Sequence, residues 1–257
     1  MPRPLEIKSL AVVMPAHNED QHIGKALAAL KASADALHHE RQDIEARIVV
    51  VLDHCTDRSA EIAAAHTSGD NRFSVVNVQL RSTGASRDFG LRAALESLRA
   101  DDAAGIWLAT TDADSAVPLH WLTRQVELAD AGADAVLGSV EPDPADMEPA
   151  IHRRWLELHP FREDHQHIYG ANMGIRASAY ISAGGFPELR AHEDRVLVER
   201  LRHRGFAVIA TDSIRVVTSG RTHSRAPEGF AAYLRSLAAE IPAAHVPAAE
   251  LPTAAGS

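Results

Sequence analysis

The feature that most constrains this chain is an apolar run that ends in acidic residues and recurs along the sequence. Three such runs, Ser9 to Met14, Ala46 to Leu52 and Ile106 to Ala109, are each followed closely by carboxylates. Short apolar runs predict buried strands, and apolar residues at helical spacing follow the first two. Strands that alternate with helices favour an α/β fold with a mostly parallel sheet. Because ligands bind at the carboxyl ends of such strands, we expect the carboxylates to border a ligand crevice.

The same reasoning predicts the elements of the first half of the chain in detail. The predicted strands and helices are, in order, strand 10–14, a helix through Ile23 to Leu30, strand 48–52, helix 59–65, strand 73–78, helix 85–98 and strand 106–109. This Rossmann-like half, about residues 1–115, is expected to bind a nucleotide.

The second half, about residues 116–240, is predicted to begin with a helix over 119–131 and a strand over 135–140. Two prolines, Pro142 and Pro144, then interrupt the pattern. Residues 149–169 favour a helix and a mobile loop, a helix follows Asp194, and two late strands are expected over 206–210 and 214–217. Residues 1–240 are predicted to form one domain, and the Ala- and Pro-rich segment 241–257 a disordered tail.

Composition excludes several classes of protein. The chain has 257 residues, of which 46% are hydrophobic and 24% charged, enough for one substantial core. A net charge of −9 disfavours binding to nucleic acid or anionic lipid, since both need clustered positive charge. One cysteine excludes an internal disulfide framework, and no stretch approaches the roughly 20 apolar residues that cross a bilayer. A cytoplasmic location without an integral membrane segment is expected, and the oligomeric state is left open, a homodimer included.

Four segments carry the chemistry, namely Pro15-Ala16-His17-Asn18-Glu19, Asp53-His54-Cys55-Thr56-Asp57, Thr111-Asp112-Ala113-Asp114, and Gly184-Gly185-Phe186 followed by His192-Glu193-Asp194. In order and spacing they resemble the family 2 glycosyltransferases of the GT-A fold, over about residues 10–225. The resemblance implies transfer of a sugar from a nucleoside-diphosphate sugar to an acceptor hydroxyl. The second segment departs from the paired aspartates of many relatives. The Gln-x-x-Arg-Trp motif of processive synthases is missing after Asp194, which favours a non-processive enzyme.

Asp112 and Asp114 are the candidate metal ligands. Residues two apart in extended chain point to the same side, and carboxylate oxygens suit Mg²⁺ or Mn²⁺. The alternative is that these aspartates cap a turn and begin a helix. The resemblance identifies them as the family's Asp-x-Asp motif, with Ala113 between them at the nucleotide sugar, and implies His223 as a third ligand. A solvated loop histidine is the alternative for His223.

The resemblance also places Pro15, Ala16 and Glu19 beside the base and ribose. Asp53 is the candidate for reading the base, because its oxygens can accept from the imide N–H of uracil or from the N1–H of guanine. A cap or turn is the alternative role for Asp53.

Three arginines and one glycine are expected near the nucleotide and its phosphates. Arg87 matches an arginine that the family keeps at the nucleotide, and Gly84 lets the backbone approach phosphate closely, although a plain loop-to-helix junction would explain this glycine equally well. Guanidinium forks match phosphate oxygens, so Arg221 and Arg225 are predicted to clamp the diphosphate, with a surface role as the alternative.

Asp194 is the candidate general base of an inverting transfer, since an acceptor hydroxyl must lose its proton to attack. Glu193 would bind the acceptor or orient the segment. Both carboxylates also suit the first turn of a helix, and a retaining reaction would not use Asp194 as the base. By resemblance, Gly170, Asn172 and Met173 line the cleft of the donor sugar and the acceptor.

Two other functions compete with this interpretation. A sugar-phosphate nucleotidylyltransferase would carry a glycine-rich loop after the first strand, and residues 15–19 contain no glycine. A catalytically silent nucleotide-binding scaffold would not need both acidic motifs. The histidines at 159, 165 and 167 suggest a solvated acceptor loop, because their spacing matches no known zinc site. Trp155 is expected to pack, with stacking on a sugar or an acceptor as its alternative role.

Overall fold

The computed structural model describes residues 6–98, 102–189, 191–222 and 230–240. The segment predicted to be a disordered tail, 241–257, lies outside the described residues. The strands are Ser9–Ala16 (β1), Glu45–Asp53 (β2), Phe73–Val78 (β3), Ile106–Thr110 (β4), Ser115–Ala116 (β5), Ala135–Pro142 (β6), Met173–Arg176 (β7) and Val208–Thr218 (β8). The helices are Ile23–Glu40 (α1), Ser59–Thr67 (α2), Thr83–Ser97 (α3), Trp121–Asp130 (α4), Pro149–Leu158 (α5), Ala177–Ala183 (α6), Glu193–His203 (α7) and Phe230–Glu240 (α8).

The described strands form one sheet in the order β3-β2-β1-β4-β7-β6-β8-β5. β1 pairs in parallel with β2 and β4, β2 with β3, and β6 with β8. β7 runs antiparallel between β4 and β6, and the short β5 is antiparallel to β8. The predicted α/β fold with a mostly parallel sheet is confirmed.

Helices cover both faces of this sheet, as the alternating side chains of β1 show. Leu10, Val12 and Met14 are buried with residues of α1, α2 and α4, whereas Ala11 and Val13 are buried with residues of α3, α6 and α7. A strand buried on both faces is apolar at every position, which is why β1 appears in the sequence as a continuous run. A smaller cluster joins α5 and α8 through Trp155, Leu234 and Leu237.

The late part of the chain differs from the prediction in one respect. The two strands expected over 206–210 and 214–217 are a single strand, β8. The register shifts between Gly138 and Val140 of β6, where the partner on β8 moves from Thr211 to Val216. The polar residues between them therefore form a bulge within one strand rather than a loop between two.

The topology brings the predicted site segments that the structure describes to one edge of the sheet. The carboxyl ends of β1, β2, β4 and β8 lie there, and so does the amino end of the antiparallel β7. Among the described residues, no helix is both long enough and apolar enough to cross a membrane.

Candidate active site

Arg87 is the centre of the candidate site. Its guanidinium donates to a carboxylate oxygen of Asp112 at 2.7 Å and to one of Glu193 at 2.6 Å. The side chain is 4% exposed. Burial opposes its charge, but the carboxylates of Asp112, Glu193 and Asp194 outweigh burial and raise the pKa of Arg87. Arg87 thus joins the end of β4 to the start of α7 through a buried ion network.

Two glycines make room for this network. A Cβ at Gly84 would lie 2.7 Å from Cγ of Glu193, and a Cβ at Gly170 would overlap the guanidinium of Arg87. Glu193 therefore fits beside Gly84 because Gly84 has no side chain. The expected contact of Gly84 with phosphate stays a prediction. Gly170 lies against the guanidinium of Arg87, and its place in the cleft of the donor sugar and the acceptor stays a prediction.

Asp194 is held at the start of α7. Its side chain accepts hydrogen bonds from the backbone N–H groups of Gly170 at 2.9 Å and Arg195 at 2.7 Å. Glu193 and Asp194 both lie in the first turn of α7, where the helix dipole favours negative charge. The role at a helix start that was considered as an alternative therefore coexists with a place in the site. Asp194 is half-buried, whereas Glu193 is buried.

Arg221 closes the other side of the site. Its two terminal nitrogens donate to the two carboxylate oxygens of Glu19, each at 2.7 Å, and one also contacts Asp114 at 2.9 Å. Burial and the neighbouring charge of Asp112 raise the pKa of Asp114 to about 6, although Arg221 acts in the opposite direction. Residues from the ends of β1, β4 and β8 therefore meet in one charged cluster.

The donor set at this edge fits a divalent ion that a substrate helps to bind. Among the described residues, no group of three His, Cys, Asp or Glu side chains is arranged to hold a metal. Mg²⁺ is commonly held by one or two protein carboxylates together with substrate phosphates. Asp112 and Asp114 can supply these carboxylates. His223 and Arg225, expected to complete the site, lie outside the described residues.

Asp53 is fully engaged with the loop before α3. One carboxylate oxygen accepts from the backbone N–H groups of Leu80 and Arg81 at 2.8 and 2.9 Å. The other accepts from the backbone of Ser82 at 3.1 Å and from the hydroxyl of Ser86 at 3.0 Å. Asp53 thus holds the loop before α3 rather than a turn of its own segment before Thr56 and Asp57, and base recognition stays a prediction.

Sequence reasoning missed Asn18, which ties together the loops after β1 and β2. Its side-chain oxygen accepts from the backbone N–H groups of Thr56 at 2.7 Å and Asp57 at 3.3 Å. Its own φ is +55°, a left-handed conformation that Asn tolerates better than most residues. His54 and Arg81, at the ends of the next two strands, also have positive φ. Backbone strain of this kind clusters at ligand sites. The positive φ of Asn18 is the signal that identifies it, and this signal is available only from the structure.

Five further predicted site residues are buried. Asn172 and Met173 are 0% exposed, and their place in the cleft stays a prediction. The Asn172 amide accepts from the Trp121 indole N–H at 2.8 Å and donates to backbone carbonyls of β6 and β8, so it joins neighbouring strands. Ala113 is buried in the core, and its place at the nucleotide sugar stays a prediction. Pro15 and Ala16 are the last residues of β1, beyond the predicted strand 10–14, and their place beside the base and ribose stays a prediction.

Known proteins resemble this chain in sequence and in fold. The family model described as Glycosyl transferase family 2 matches residues 11–184. Over 155 residues, the chain is 32% identical to an undecaprenyl-phosphate 4-deoxy-4-formamido-L-arabinose transferase of Pseudomonas savastanoi pv. phaseolicola. That match covers 60% of this chain and 41% of the relative, so the chain spans less than half of the relative's length.

Two solved structures share the fold. The crystal structure of S. aureus TarS superposes with a TM-score of 0.61 at 16% identity, over 90% of this chain and 39% of that one. The mannosyltransferase PcManGT from Pyrobaculum calidifontis, solved in complex with GDP-Man and Mn²⁺, has a TM-score of 0.59 at 19% identity, over 88% of this chain and 60% of that one.

Proposed function

The chain belongs to glycosyl transferase family 2, and we propose that it transfers a sugar from a UDP- or GDP-linked donor to an acceptor hydroxyl without processivity. The observation that carries this proposal is the meeting of Asp112, Asp114, Glu193 and Asp194 around Arg87 and Arg221 at one edge of the sheet. Membership of this family also disfavours a nucleotidylyltransferase.

Asp112 and Asp114 are the residues that would hold Mg²⁺ or Mn²⁺ with the donor diphosphate. When bound, the ion neutralises negative charge that develops on the departing diphosphate. The fold neighbour solved with GDP-Man and Mn²⁺ supports this choice of donor class and metal. Arg221, now paired with Glu19 and Asp114, has a guanidinium fork that matches phosphate oxygens and would exchange one anionic partner for another.

Asp194 would take the proton of the acceptor hydroxyl. Two backbone N–H groups already hold its carboxylate, which fixes the side chain in one orientation. Glu193 is less suited to this step, because it is buried against the guanidinium of Arg87. Glu193 and Arg87 therefore position α7, while Asp194 performs the proton transfer of an inverting reaction.

Calorimetric titration tests the donor half of this proposal. UDP and GDP are titrated into the wild type and into Asp112→Asn and Asp114→Asn, each with and without Mn²⁺. We expect one nucleotide to bind in a metal-dependent manner and both variants to lose at least about tenfold in affinity, since each removes a charged ligand. Asp43→Asn is the matched control, because Asp43 is exposed and pairs with Lys8 and Arg41 away from the site.

A folded wild-type protein that binds neither nucleotide would contradict the transferase proposal and favour a silent scaffold. Metal-independent binding that survives both Asn substitutions would contradict the role of Asp112 and Asp114 alone. Retention of a cooperative thermal transition in each variant separates these results from loss of the fold.

A lipid phosphate is the second candidate acceptor. The name of the Pseudomonas relative joins undecaprenyl phosphate to a sugar transfer, which favours this class. A phosphate oxygen is already ionised at neutral pH and needs no general base. The two acceptors therefore predict different results for Asp194→Asn: a large loss of kcat with a hydroxyl acceptor, and a small one with a phosphate.

A further inference from the structure

The segment between α5 and β7, residues 159–172, contains no helix or strand. Loops of about 14 residues without regular structure are uncommon in compact domains and usually have a function. The carboxyl end of this loop is fixed at the candidate site. Gly170 donates its N–H to Asp194 at 2.9 Å and accepts from the Thr110 hydroxyl at 2.6 Å. Tyr169 therefore immediately precedes Gly170, whose N–H group holds the proposed base, Asp194.

Four rings form a continuous row that leads to this point. Trp155 of α5 stacks on His159 with centroids 4.4 Å apart and planes 9° apart. His159 lies 4.8 Å from His167, and His167 stacks on Tyr169 at 5.9 Å. We call Trp155, His159, His167 and Tyr169 the ring row. Its last three members are half-buried, so parts of their surfaces reach solvent.

The ring row is uncharged at neutral pH. Burial lowers the pKa of His159, and burial with the neighbouring His159, His165 and Arg162 lowers the pKa of His167 to about 4. A neutral imidazole offers one N–H donor and one nitrogen acceptor, which complements a hydroxyl group. Because these rings carry no charge, they form no ion pair with an anion.

His165 lies beside the ring row and is buried, so the expectation of a solvated loop is wrong for this residue. It is 3% exposed, and its ring centroid lies 5.8 Å from that of His167. Neither of its ring nitrogens has a hydrogen-bond partner among the described residues. Buried polar groups are nearly always hydrogen-bonded, and both nitrogens of this imidazole can bond to a molecule that enters beside the row.

We propose that the ring row is the acceptor subsite and that the acceptor is a sugar, held by stacking on the rings and by hydrogen bonds to their polar atoms. The apolar C–H face of a pyranose suits an aromatic surface, and its hydroxyls suit imidazole and phenol groups. A sugar on His167 and Tyr169 would present a hydroxyl towards Asp194. This inference rests on the proposed function, whose acceptor it identifies.

Charge disfavours the lipid phosphate at this position. A phosphate here would face neutral rings and the carboxylate of Asp194, since Arg87 compensates the charge of Glu193. Two arginines of this region offer a phosphate little attraction. Arg215 lies over Phe161 of the same loop and is already paired with Asp212. Arg162 is exposed to water, which weakens its attraction for an anion.

Ligand-observed NMR tests the inference directly. Methyl glycosides of common hexoses and, separately, farnesyl phosphate are added to the protein saturated with Mg²⁺ and the nucleotide identified by calorimetry; Mg²⁺ replaces Mn²⁺ because paramagnetic Mn²⁺ would broaden the ligand signals. The variants are His167→Leu, which removes a ring and its nitrogens, and Tyr169→Phe, which keeps the ring and removes one hydroxyl. His39→Ala is the control, because His39 is an exposed histidine near the end of α1.

We expect at least one glycoside to show saturation transfer that falls by about fivefold or more in His167→Leu, as loss of a hydrogen bond and a stacking partner predicts. Tyr169→Phe should cause a smaller fall and His39→Ala none, with nucleotide affinity unchanged in all three. If His167→Leu does not fold, the result for Tyr169→Phe decides, since that change leaves the ring in place.

Three results would overturn the inference alone. Glycoside binding that is equal in wild type and both ring-row variants would place the acceptor elsewhere. Binding of farnesyl phosphate without any glycoside would identify a phosphate acceptor. Intact nucleotide binding with neither probe bound would leave the ring row as packing between α5, its loop and α8, whose Tyr233 and Phe230 contact His159 and Tyr169. Failure of the wild type to bind nucleotide would overturn the proposed function as well, and calorimetry alone detects that case.

Discussion

Arg87 is the residue on which the candidate site depends most. It compensates two carboxylates, Asp112 and Glu193, at a position that water barely reaches. Removing one partner of a buried charge network leaves the other charges uncompensated. The resulting loss of stability is larger than the stabilisation that the intact network provides. We expect Arg87→Met to lower the free energy of unfolding by about 3 kcal/mol, measured by urea denaturation at pH 7.

Two further variants test this explanation. Arg58→Met removes an arginine that is 70% exposed and paired with Glu61, and it should leave the urea midpoint unchanged. The double variant Arg87→Met with Glu193→Gln should recover part of the loss, because it removes the buried charge that Arg87 leaves behind. A double variant no more stable than Arg87→Met would show that the loss comes from packing.

Asp114 gives the metal-free protein a distinct pH dependence. Its pKa is about 6 in the folded chain against 3.8 as the ordinary value, chiefly because of burial. Between these two pH values the folded state keeps a proton that the unfolded state has released. The contribution of Asp114 therefore makes the free energy of unfolding fall as pH rises from about 4 to about 6. Wild type and Asp114→Asn are compared by urea denaturation across this range. The free energy of unfolding should fall more steeply with pH in the wild type than in Asp114→Asn. Parallel curves would contradict the shifted pKa.

At the scale of elements, the approach of α3 to α7 depends on Gly84. An added Cβ would lie 2.7 Å from Cγ and 3.2 Å from Cβ of Glu193, atoms too near the backbone to move freely. Alanine favours a helix by up to about 1 kcal/mol, but overpacking costs about 1–3 kcal/mol, so Gly84→Ala should be destabilising on balance. Thermal denaturation measures this, with Gly105→Ala as the control, where the nearest atom to an added Cβ is 3.7 Å away. A Gly84→Ala protein as stable as wild type would show that α7 shifts without cost.

The first strands were predictable because they are buried on both faces and therefore apolar throughout. β7 was not, although it lies in the middle of the sheet. It has four residues, of which Gly174 carries no side chain and Arg176 is charged. Arg176 is buried because its guanidinium donates to the carbonyls of Ala104 and Ala129, residues distant in sequence. A strand specified by such partners has no local pattern to detect.

The same distinction applies to the site. The order of the acidic motifs was enough to predict which side chains meet at the sheet edge. Their pairing was not predictable, since Arg87 is 25 residues from Asp112 and 106 from Glu193. The burial of Asn172 was missed for a related reason: its three hydrogen-bond partners come from α4, β6 and β8, and only the assembled sheet brings them together.

At the scale of the whole molecule, the site needs both halves of the chain. The family model ends at residue 184, but Glu193, Asp194 and Arg221 lie beyond it. So do Leu197, Val198 and Leu201 of α7, which are fully buried in the core on one face of the sheet. β8, also beyond residue 184, pairs with β6 along most of its length. We therefore expect that the matched region is not a folding unit by itself.

Truncation tests whether residues 1–240 are one cooperative domain. A chain of residues 1–240 keeps α8, whose Leu234 and Leu237 pack on Trp155, and it should unfold in a single transition at the same temperature as the full chain. A chain of residues 1–184 lacks β8 and α7, exposes the edge of β6 and should show no cooperative transition in calorimetry. Two resolved transitions in the 1–240 chain would indicate separate nucleotide and acceptor domains. A cooperative transition in the 1–184 chain would show instead that β8 and α7 dock on a core that is stable without them.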